Sequence, residues 1–394
     1  MFEQIRLPVV LVSGLHQVER RRVVGELLAG CIDAVVLHHD LWDAAGGLVT
    51  RRVHDAEGEF APTVLHSATG CAGCTVRGDL LPELLAIADA GQYGLVVVEL
   101  WGGGDPHPLV ELITGGVVGG RRVAEVIELA GVVTAVDPLR VIGELSVPAA
   151  LVACHPGGCV RDTRTRAEAL AHQIEYATVL AVPRAPLGRP AGDDSEFRAG
   201  IAMLRQLHST ARLVTLGSGA LIRAALAGFD LGAARHRVNP ALAALPKERH
   251  EAGVSTLVWQ RRRPLHPQRL HRALEALVPA AQRSRGRFWL ANRPELLLAW
   301  DAAGASLAVE ECGPWPAVLP DAAWEHWSAG AVADPCPPRG DRSQRLSFTA
   351  RGLDVAGIVA LLDSCLLTDA ELVVGEPGWR ALPDAFAAVL TPIG

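Results

Sequence analysis

The sequence predicts an α/β fold, a parallel sheet with helices on both faces, followed by a second, smaller α+β domain. Over about the first 240 residues, short runs of β-branched residues alternate with stretches of helical periodicity, which is typical of parallel sheets. The segment Asn239–Gly253 breaks this pattern with prolines and charges, as domain boundaries do. The length of 394 residues also exceeds the roughly 250–300 residues that a single core accommodates.

The composition indicates a globular protein. Apolar residues make up 49% and charged residues 20% of the chain, which argues against intrinsic disorder. The net charge of −6 gives no reason to expect binding to nucleic acid or anionic membrane over the whole surface. The eight cysteines are too scattered for a disulfide framework. Because no run of about 20 apolar residues could span a bilayer, we expect a cytoplasmic protein.

The first domain is predicted to cover residues 1–240. Its predicted strands are Leu7–Ser13, Ala34–His38, Leu95–Glu99, Gly131–Val136 and Ala177–Val182, and its predicted helices are Val18–Ala29, Arg77–Ala90 and Thr163–Tyr176. The turn residues Asp55–Gly58 predict a β-hairpin within Leu48–His66. The proline- and glycine-rich segment Pro183–Asp194 is predicted to be a loop.

The second domain is predicted to cover residues 254–394. Its predicted strands are Ser255–Gln260, Arg285–Leu290, Leu296–Asp301 and Gln344–Thr349, and its predicted helices are Pro267–Leu277 and Val355–Leu366. Strands and helices in this order suit a compact α+β domain.

Two thiols three residues apart, Cys71 and Cys74, suit either a metal site or a redox pair. Two thiolates supply half of a tetrahedral Zn²⁺ shell, and His66, His38, His39 or a carboxylate are candidates to complete it. The alternative is a pair of ordinary reduced thiols at the start of a helix. A second candidate metal site is formed by Cys154, His155 and Cys159 around a Pro-Gly-Gly turn, where a plain surface loop is the alternative.

Two segments resemble signatures of the CobW family of P-loop GTPases and metallochaperones. Gly70–Leu80 is similar to that family's Gly-Cys-x-Cys-Cys-Thr-(Val/Ile)-Arg-x-Asp-Leu motif, with Gly73 in place of the middle cysteine. Glu99–Pro106 is similar to its Glu-Thr-Thr-Gly-x-x-Asp-Pro motif. Arg263–Leu270 and Arg285–Ala291 resemble the family's C-terminal domain. The resemblance implies a P-loop NTPase-like domain followed by a CobW C-terminal domain.

The nucleotide motifs depart from the family pattern. A P-loop needs Gly-x-x-x-x-Gly-Lys-(Ser/Thr), but only Gly14 remains, and Val18–Arg21 stand where the second glycine, the lysine and the hydroxyl belong. Asn-Lys-x-Asp should follow the strand Ala177–Val182, yet no asparagine precedes Asn239 and the sole lysine is Lys247. GTP binding is therefore not expected, hydrolysis should be lost, and no catalytic residue is predicted.

The resemblance implies that only a remnant of the family's nucleotide site is present in this chain. The family gives a carboxylate at the position of Glu99 a role near Mg²⁺ and the attacking water. We predict that Gly14, Glu99 and Asp105 mark an inherited nucleotide site, and that Cys71, Cys74 and His66 mark a zinc site.

The C-terminal pattern over Pro264–His271 and Arg285–Pro294 resembles an actinobacterial branch of the family that recruits a ribosome hibernation factor to the ribosome. This implies a recruiter that acts under zinc limitation and senses zinc at the Cys-x-x-Cys site. The alternative is a GTP-dependent zinc metallochaperone or insertase. Five arginines are candidates for ribosome contact, with a solvated face as the alternative: Arg261, Arg262, Arg263, Arg269 and Arg272.

Overall fold

The computed structural model describes residues 6–43, 47–67, 71–151, 162–185, 191–239, 247–315, 342–388 and 390–391. The chain divides into two compact units. The first comprises Met1–Glu144, Ala149–Gly200 and Thr210–Leu231, and the second comprises Leu145–Pro148, Ile201–Ser209 and Gly232–Gly394. The domain limits at residues 240 and 254 stay sequence-based predictions.

The described part of the first unit is built on an eight-stranded sheet in the order β10-β9-β8-β1-β5-β2-β3-β4. Its strands are β1 (Leu7–Ser13), β2 (Ala34–Asp40), β3 (Leu48–His54), β4 (Thr63–His66), β5 (Leu95–Glu99), β8 (Ile127–Ala135), β9 (Val179–Val182) and β10 (Arg212–Thr215); β6 (Val117–Val118) and β7 (Arg121–Arg122) form a separate small hairpin. The strands from β10 to β2 run parallel, and β3 and β4 extend the sheet as an antiparallel hairpin.

Helices cover both faces of this sheet, which confirms the predicted fold class. The helices up to the second unit's sheet are α1 (Gln17–Gly30), α2 (Ala72–Ala90), α3 (Pro106–Gly115), α4 (Val141–Ser146), α5 (Arg166–Tyr176), α6 (Ala191–Leu207), α7 (Leu221–Ala225) and α8 (Leu231–Val238). On one face, α1 and α7 pack on alternate strand residues such as Val10, Val36 and Val97. On the other, α2, α3 and α5 contact β8. No helix in the described ranges is long and apolar enough to cross a membrane.

Several elements differ from the sequence prediction, among them α2, α6 and α3. Helix α2 begins at Ala72 and not at Arg77, so the cysteine pair lies at its first turn. Part of the predicted loop Pro183–Asp194 is helical, because α6 begins at Ala191. Helix α3 was not predicted, although Asp105 caps it and Pro106 opens it, a sequence signal of a helix start.

The second unit is a seven-stranded sheet in its described part, in the order β11-β12-β16-β13-β14-β15-β17. The strands are β11 (Arg249–Glu251), β12 (Val254–Arg261), β13 (Arg283–Phe288), β14 (Leu296–Ala303), β15 (Ser306–Pro314), β16 (Gln344–Arg351) and β17 (Leu390–Thr391), and the helices are α9 (Pro267–Leu277), α10 (Val355–Ser364) and α11 (Asp369–Arg380). Trp259, Trp300 and Phe348 from the sheet and Leu270 and Leu362 from α9 and α10 form one core.

Gly286 explains part of the Arg285–Ala291 motif. Its φ of 149° lies in a region that L-residues rarely adopt, and a Cβ at this position would lie 2.1 Å from the carbonyl oxygen of Arg345 on β16. Only glycine therefore allows β13 and β16 to pair here.

Candidate functional site

The turn between β1 and α1 stands where a phosphate-binding loop would lie. It contains only Gly14, Leu15 and His16, because α1 begins at Gln17. Gly14 has a φ of 143°, and a Cβ here would lie 2.6 Å from the carbonyl oxygen of Ala135, so glycine is required. A phosphate cradle needs backbone N–H groups from a longer loop ahead of the helix. In this chain, part of that segment is already helical.

Arg20 fills the space under this turn. By spacing from Gly14 it takes the place of the P-loop lysine, and it is only 3% exposed. Its Nη1 donates to the carbonyl oxygens of Gly14 at 2.9 Å and Leu15 at 3.3 Å, while its Nε donates to Glu99 Oε1 at 3.2 Å. Burial lowers the pKa of Arg20 and Glu99 opposes this. The turn thus offers carbonyl oxygens to a cation, whereas a phosphate cradle offers N–H groups to an anion.

Glu99 ends β5 and is 6% exposed. Besides Arg20 it faces His38, whose Nδ1 lies 3.1 Å from the main-chain oxygen of Glu99 and 3.9 Å from its Oε2. Burial lowers the pKa of His38 more than the Glu99 carboxylate raises it. The structure therefore brings Gly14 and Glu99 together through Arg20, and the Glu99 carboxylate is engaged by a cation of the chain itself.

Asp105 lies at the start of α3. It is the N-cap of α3 and accepts from the backbone N–H of His107 at 2.9 Å, with Arg164 Nη1 at 3.5 Å. The preceding glycine turn is held through its carbonyl groups, since Arg164 donates to the Gly103 oxygen and the Gln173 side chain donates to the Gly104 oxygen. This segment is fixed by side-chain donors and a helix cap.

A cavity of about 400 Å³ opens beside Glu99, next to α1 and the β3–β4 hairpin. Its charged lining is mixed in sign, because Arg52 binds Glu59 at 2.9 Å and lies 3.6 Å from Asp40. The residues that line it are Gln17, Arg21, Val24, Gly25, Leu28, His38, Asp40, Arg52, His54, Asp55, Gly58, Glu59 and Glu99. Such a lining does not single out an anionic ligand.

Cys71 and Cys74 lie at the start of α2. Cys71 is the half-buried N-cap residue, and Cys74 is exposed in the first turn, where Arg77 Nη2 donates to its Sγ at 3.3 Å. His66 is exposed at the end of β4. Across the described ranges, no three His, Cys, Asp or Glu side chains are arranged to hold a metal ion. The metal site of Cys71, Cys74 and His66 stays a prediction, and Cys154, His155 and Cys159 lie outside the described residues.

Asp79, the acidic residue of the cysteine motif, connects α2 to the sheet. It accepts from His39 Nε2 on β2 at 2.9 Å and from Arg51 Nη1 on β3 at 2.7 Å. Burial raises the pKa of Asp79, but these two partners outweigh it and hold the pKa below its usual range. The candidate ligand His39 is thus already engaged. Sequence reasoning missed this network, because β2, β3 and α2 are brought together only by the fold.

The predicted basic surface of the second unit is largely neutralised. Arg261, Arg263 and Arg269 each bind a carboxylate, which sequence spacing could not reveal. The pairs are Arg261–Asp363 at 2.8 Å, Arg263–Asp369 at 2.7 Å and Arg269–Glu371 at 2.7 Å. The hydrogen bonds from Arg269 are the main cause that lowers the pKa of Glu371 to about 2. These arginines therefore do not form an uncompensated positive patch.

Fold and site together define a P-loop-type α/β domain with an altered nucleotide turn, joined to an α+β unit. Family comparisons agree: the CobW/HypB/UreG nucleotide-binding domain matches residues 22–210, and the cobalamin synthesis protein cobW C-terminal domain matches residues 254–366. The first match begins within α1, beyond Gly14 and Arg20. The chain belongs to the CobW family.

Two relatives carry zinc-related names. The protein called zinc chaperone Rv0106 of Mycobacterium tuberculosis is 31% identical over 404 residues, which cover 97% of this chain and 93% of that protein. The zinc-regulated GTPase metalloprotein activator 1 of Dictyostelium discoideum is 25% identical over 342 residues, which cover 82% of this chain and 70% of that protein. This chain is thus similar to zinc-related members of the family.

Proposed function

We propose that this protein acts by contact, as a recruiter that brings a ribosome hibernation factor to the ribosome when zinc is scarce, without a nucleotide cycle. The observation that carries the proposal is the Arg20 guanidinium, which occupies the β1–α1 turn and binds Glu99. A turn in which an internal ion pair occupies the place of a phosphate is unsuited to nucleotide hydrolysis. Its partners are the hibernation factor and the ribosome, which places its activity in the cytoplasm.

The residues at the turn do not fit Mg²⁺-GTP. A phosphate would have to displace Arg20 from two carbonyl oxygens and would then face those oxygens in place of N–H donors. A Mg²⁺ ion at Glu99 would compete with the same guanidinium for one carboxylate. We therefore assign neither GTP nor Mg²⁺ to this protein as a cofactor.

The cysteine pair does fit a zinc-sensing role. Cys71 and Cys74 would supply two thiolates from one helical turn, and thiolates are preferred ligands of Zn²⁺. With remaining positions left to His66, water or a partner protein, the bound zinc would exchange readily. An exchangeable site suits a sensor better than a closed tetrahedral site, because a sensor has to lose its metal as zinc becomes scarce.

The second candidate function is zinc delivery as a metallochaperone or insertase. The names of the two relatives favour it, since one is called a zinc chaperone and the other a zinc-regulated GTPase metalloprotein activator. Delivery to a client would use the same thiols. The two functions differ in whether the partner is a zinc-requiring client or a ribosome-bound factor.

The test is sedimentation of ribosomes from zinc-depleted cells with and without this gene, followed by quantification of the hibernation factor in the ribosome fraction. We expect the factor to leave that fraction in the deletion strain and to return on complementation. Equal amounts in both strains would overturn the recruiter function and favour zinc delivery. Complementation with the double variant Cys71→Ser/Cys74→Ser then asks whether the zinc dependence uses this site.

A further inference from the structure

The positions of Cys71 and Cys74 allow a disulfide to form between them. The Thr75 backbone N–H donates to the Cys71 carbonyl oxygen at 3.0 Å, so Cys71 belongs to the first turn of α2 and Cys74 lies three residues on. Cys71 is the N-cap, with an extended backbone, and Cys74 is in the first helical turn, so both thiols lie at the same end of the helix. A disulfide needs Cβ atoms about 3.5–4.5 Å apart, and because Cys71 precedes the helix, its backbone can adjust toward Cys74 without breaking a helical turn.

The surroundings of the pair favour reaction at sulfur. Cys74 is exposed and Cys71 half-buried, so a small disulfide in solution can reach at least one of them. The Arg77 guanidinium donates to Cys74 Sγ at 3.3 Å and presents a positive charge to it. The pair is thus accessible to a small disulfide, and Arg77 contacts the sulfur that reacts first.

The other described cysteines lack these conditions. Burial, together with Glu310, raises the pKa of Cys312 to about 11. Burial and the neighbouring Asp33 raise the pKa of Cys31, and burial raises that of Cys365. We therefore expect Cys31, Cys312 and Cys365 to react more slowly than the exposed Cys74.

We propose that Cys71 and Cys74 are a reversible redox pair that exchanges with low-molecular-weight disulfides. The Cys74 thiolate attacks one sulfur of the small disulfide, forming a mixed disulfide and expelling one small thiolate. Cys71 then attacks Cys74 Sγ, which closes the Cys71–Cys74 disulfide and expels the second thiolate. The two protein thiols are oxidised, the small disulfide is reduced to two thiols, and the protons of the protein thiols pass to them.

The disulfide would also control zinc. An oxidised pair has no thiolate to offer, so disulfide formation and zinc binding exclude each other. This regulatory consequence rests on the proposed function, because it assumes that zinc binds at the same two residues. The exchange reaction itself does not rest on the proposed function, because it is measured without zinc or ribosomes.

The experiment exposes the full-length, metal-free protein to oxidised glutathione, traps the remaining thiols with a maleimide and maps them by mass spectrometry. The tryptic peptide Val53–Arg77 contains both cysteines and no other, so the disulfide appears as the loss of two hydrogens. We expect this disulfide to form before Cys31 or Cys312 reacts, and to revert in reduced glutathione. Cys71→Ser should stop at a mixed disulfide on Cys74.

A matched pair of variants isolates the role of Arg77. Arg77→Leu should slow the exchange about two- to fivefold, the range expected for loss of one exposed charge contact. Arg122→Leu, which removes an exposed arginine elsewhere, should leave the rate unchanged. The proposal is overturned if Cys71 and Cys74 react no faster than Cys312, or if wild type yields only mixed disulfides. Recruitment of the hibernation factor could fail while this exchange succeeds, so the two outcomes are separable.

Discussion

At the level of single residues, Arg20 provides the positive charge that the buried Glu99 carboxylate requires. We expect Arg20→Met to lower the free energy of unfolding by about 3–5 kcal/mol, because it leaves a buried carboxylate without its partner. Urea unfolding measures this directly. The matched control is Arg21→Met, on an exposed arginine one residue on, which should change stability by less than about 0.5 kcal/mol.

A double variant tests whether the loss of stability comes from the unpaired Glu99 carboxylate. Arg20→Met/Glu99→Met should recover part of the lost stability, since neither charge is then buried alone. If Arg20→Met proved neutral, the guanidinium would not be what holds the turn, and the argument against a nucleotide there would lose its structural basis.

Glu371 provides a prediction about pH. Its folded-state pKa of about 2 lies below the ordinary value of 4.5, so the carboxylate contributes its full stability above that pH. That contribution is lost as pH falls through the folded-state pKa. Because Glu371 is one-third exposed, we expect Glu371→Gln to cost only about 0.5–1 kcal/mol at pH 7. The difference from wild type should shrink between pH 4 and 2 in chemical denaturation, and a constant difference would contradict this.

At the scale of secondary structure, Gly286 is where β13 approaches β16 too closely for a side chain. We expect Gly286→Ala to lower the free energy of unfolding by about 2 kcal/mol or more, from both the unfavourable φ and the contact with the Arg345 oxygen. Gly253→Ala is the matched control, since Gly253 also has positive φ but open space around it, and should cost only about 1 kcal/mol. Equal losses in the two variants would show that the close contact contributes nothing.

The zinc content of the protein tests the proposed metal site in the first turn of α2. Replacing Cys71 and Cys74 together with serine should remove bound zinc, measured by elemental analysis, while thermal unfolding stays close to wild type because neither residue belongs to a core cluster. Zinc affinity of the wild type should fall as pH drops, since protons compete for thiolate. Cys31→Ser/Cys312→Ser is the matched control. Unchanged zinc in the first double variant would exclude this site.

The sequence predicted the helices and strands better than it predicted the arrangement of the candidate site. Strands β1 and β5 were predicted to the residue, because buried parallel strands show as uninterrupted apolar runs. Helix α2 began earlier than predicted, since Cys71–Val76 carries no helical periodicity of its own. Loss of the P-loop residues was visible in the motif. The burial of Arg20 against Glu99 could not be predicted, because the sequence does not show the direction in which a side chain points.

At the scale of the whole molecule, charge restricts how the proposed recruiter would bind a ribosome. A net charge of −6 opposes broad contact with rRNA, and the carboxylates paired with Arg261, Arg263 and Arg269 reduce the local positive charge further. We therefore expect docking to rely on protein surfaces more than on phosphate contacts. A weak dependence of ribosome binding on salt would follow from this.

The most direct measurement is reconstituted co-sedimentation of purified ribosomes, the hibernation factor and this protein, without nucleotide and with added GTP. Because recruitment is proposed to work by contact alone, the protein should raise the amount of factor that pellets with ribosomes equally in both conditions. Factor pelleting that is indifferent to this protein, or that rises only when GTP is present, would contradict the proposal.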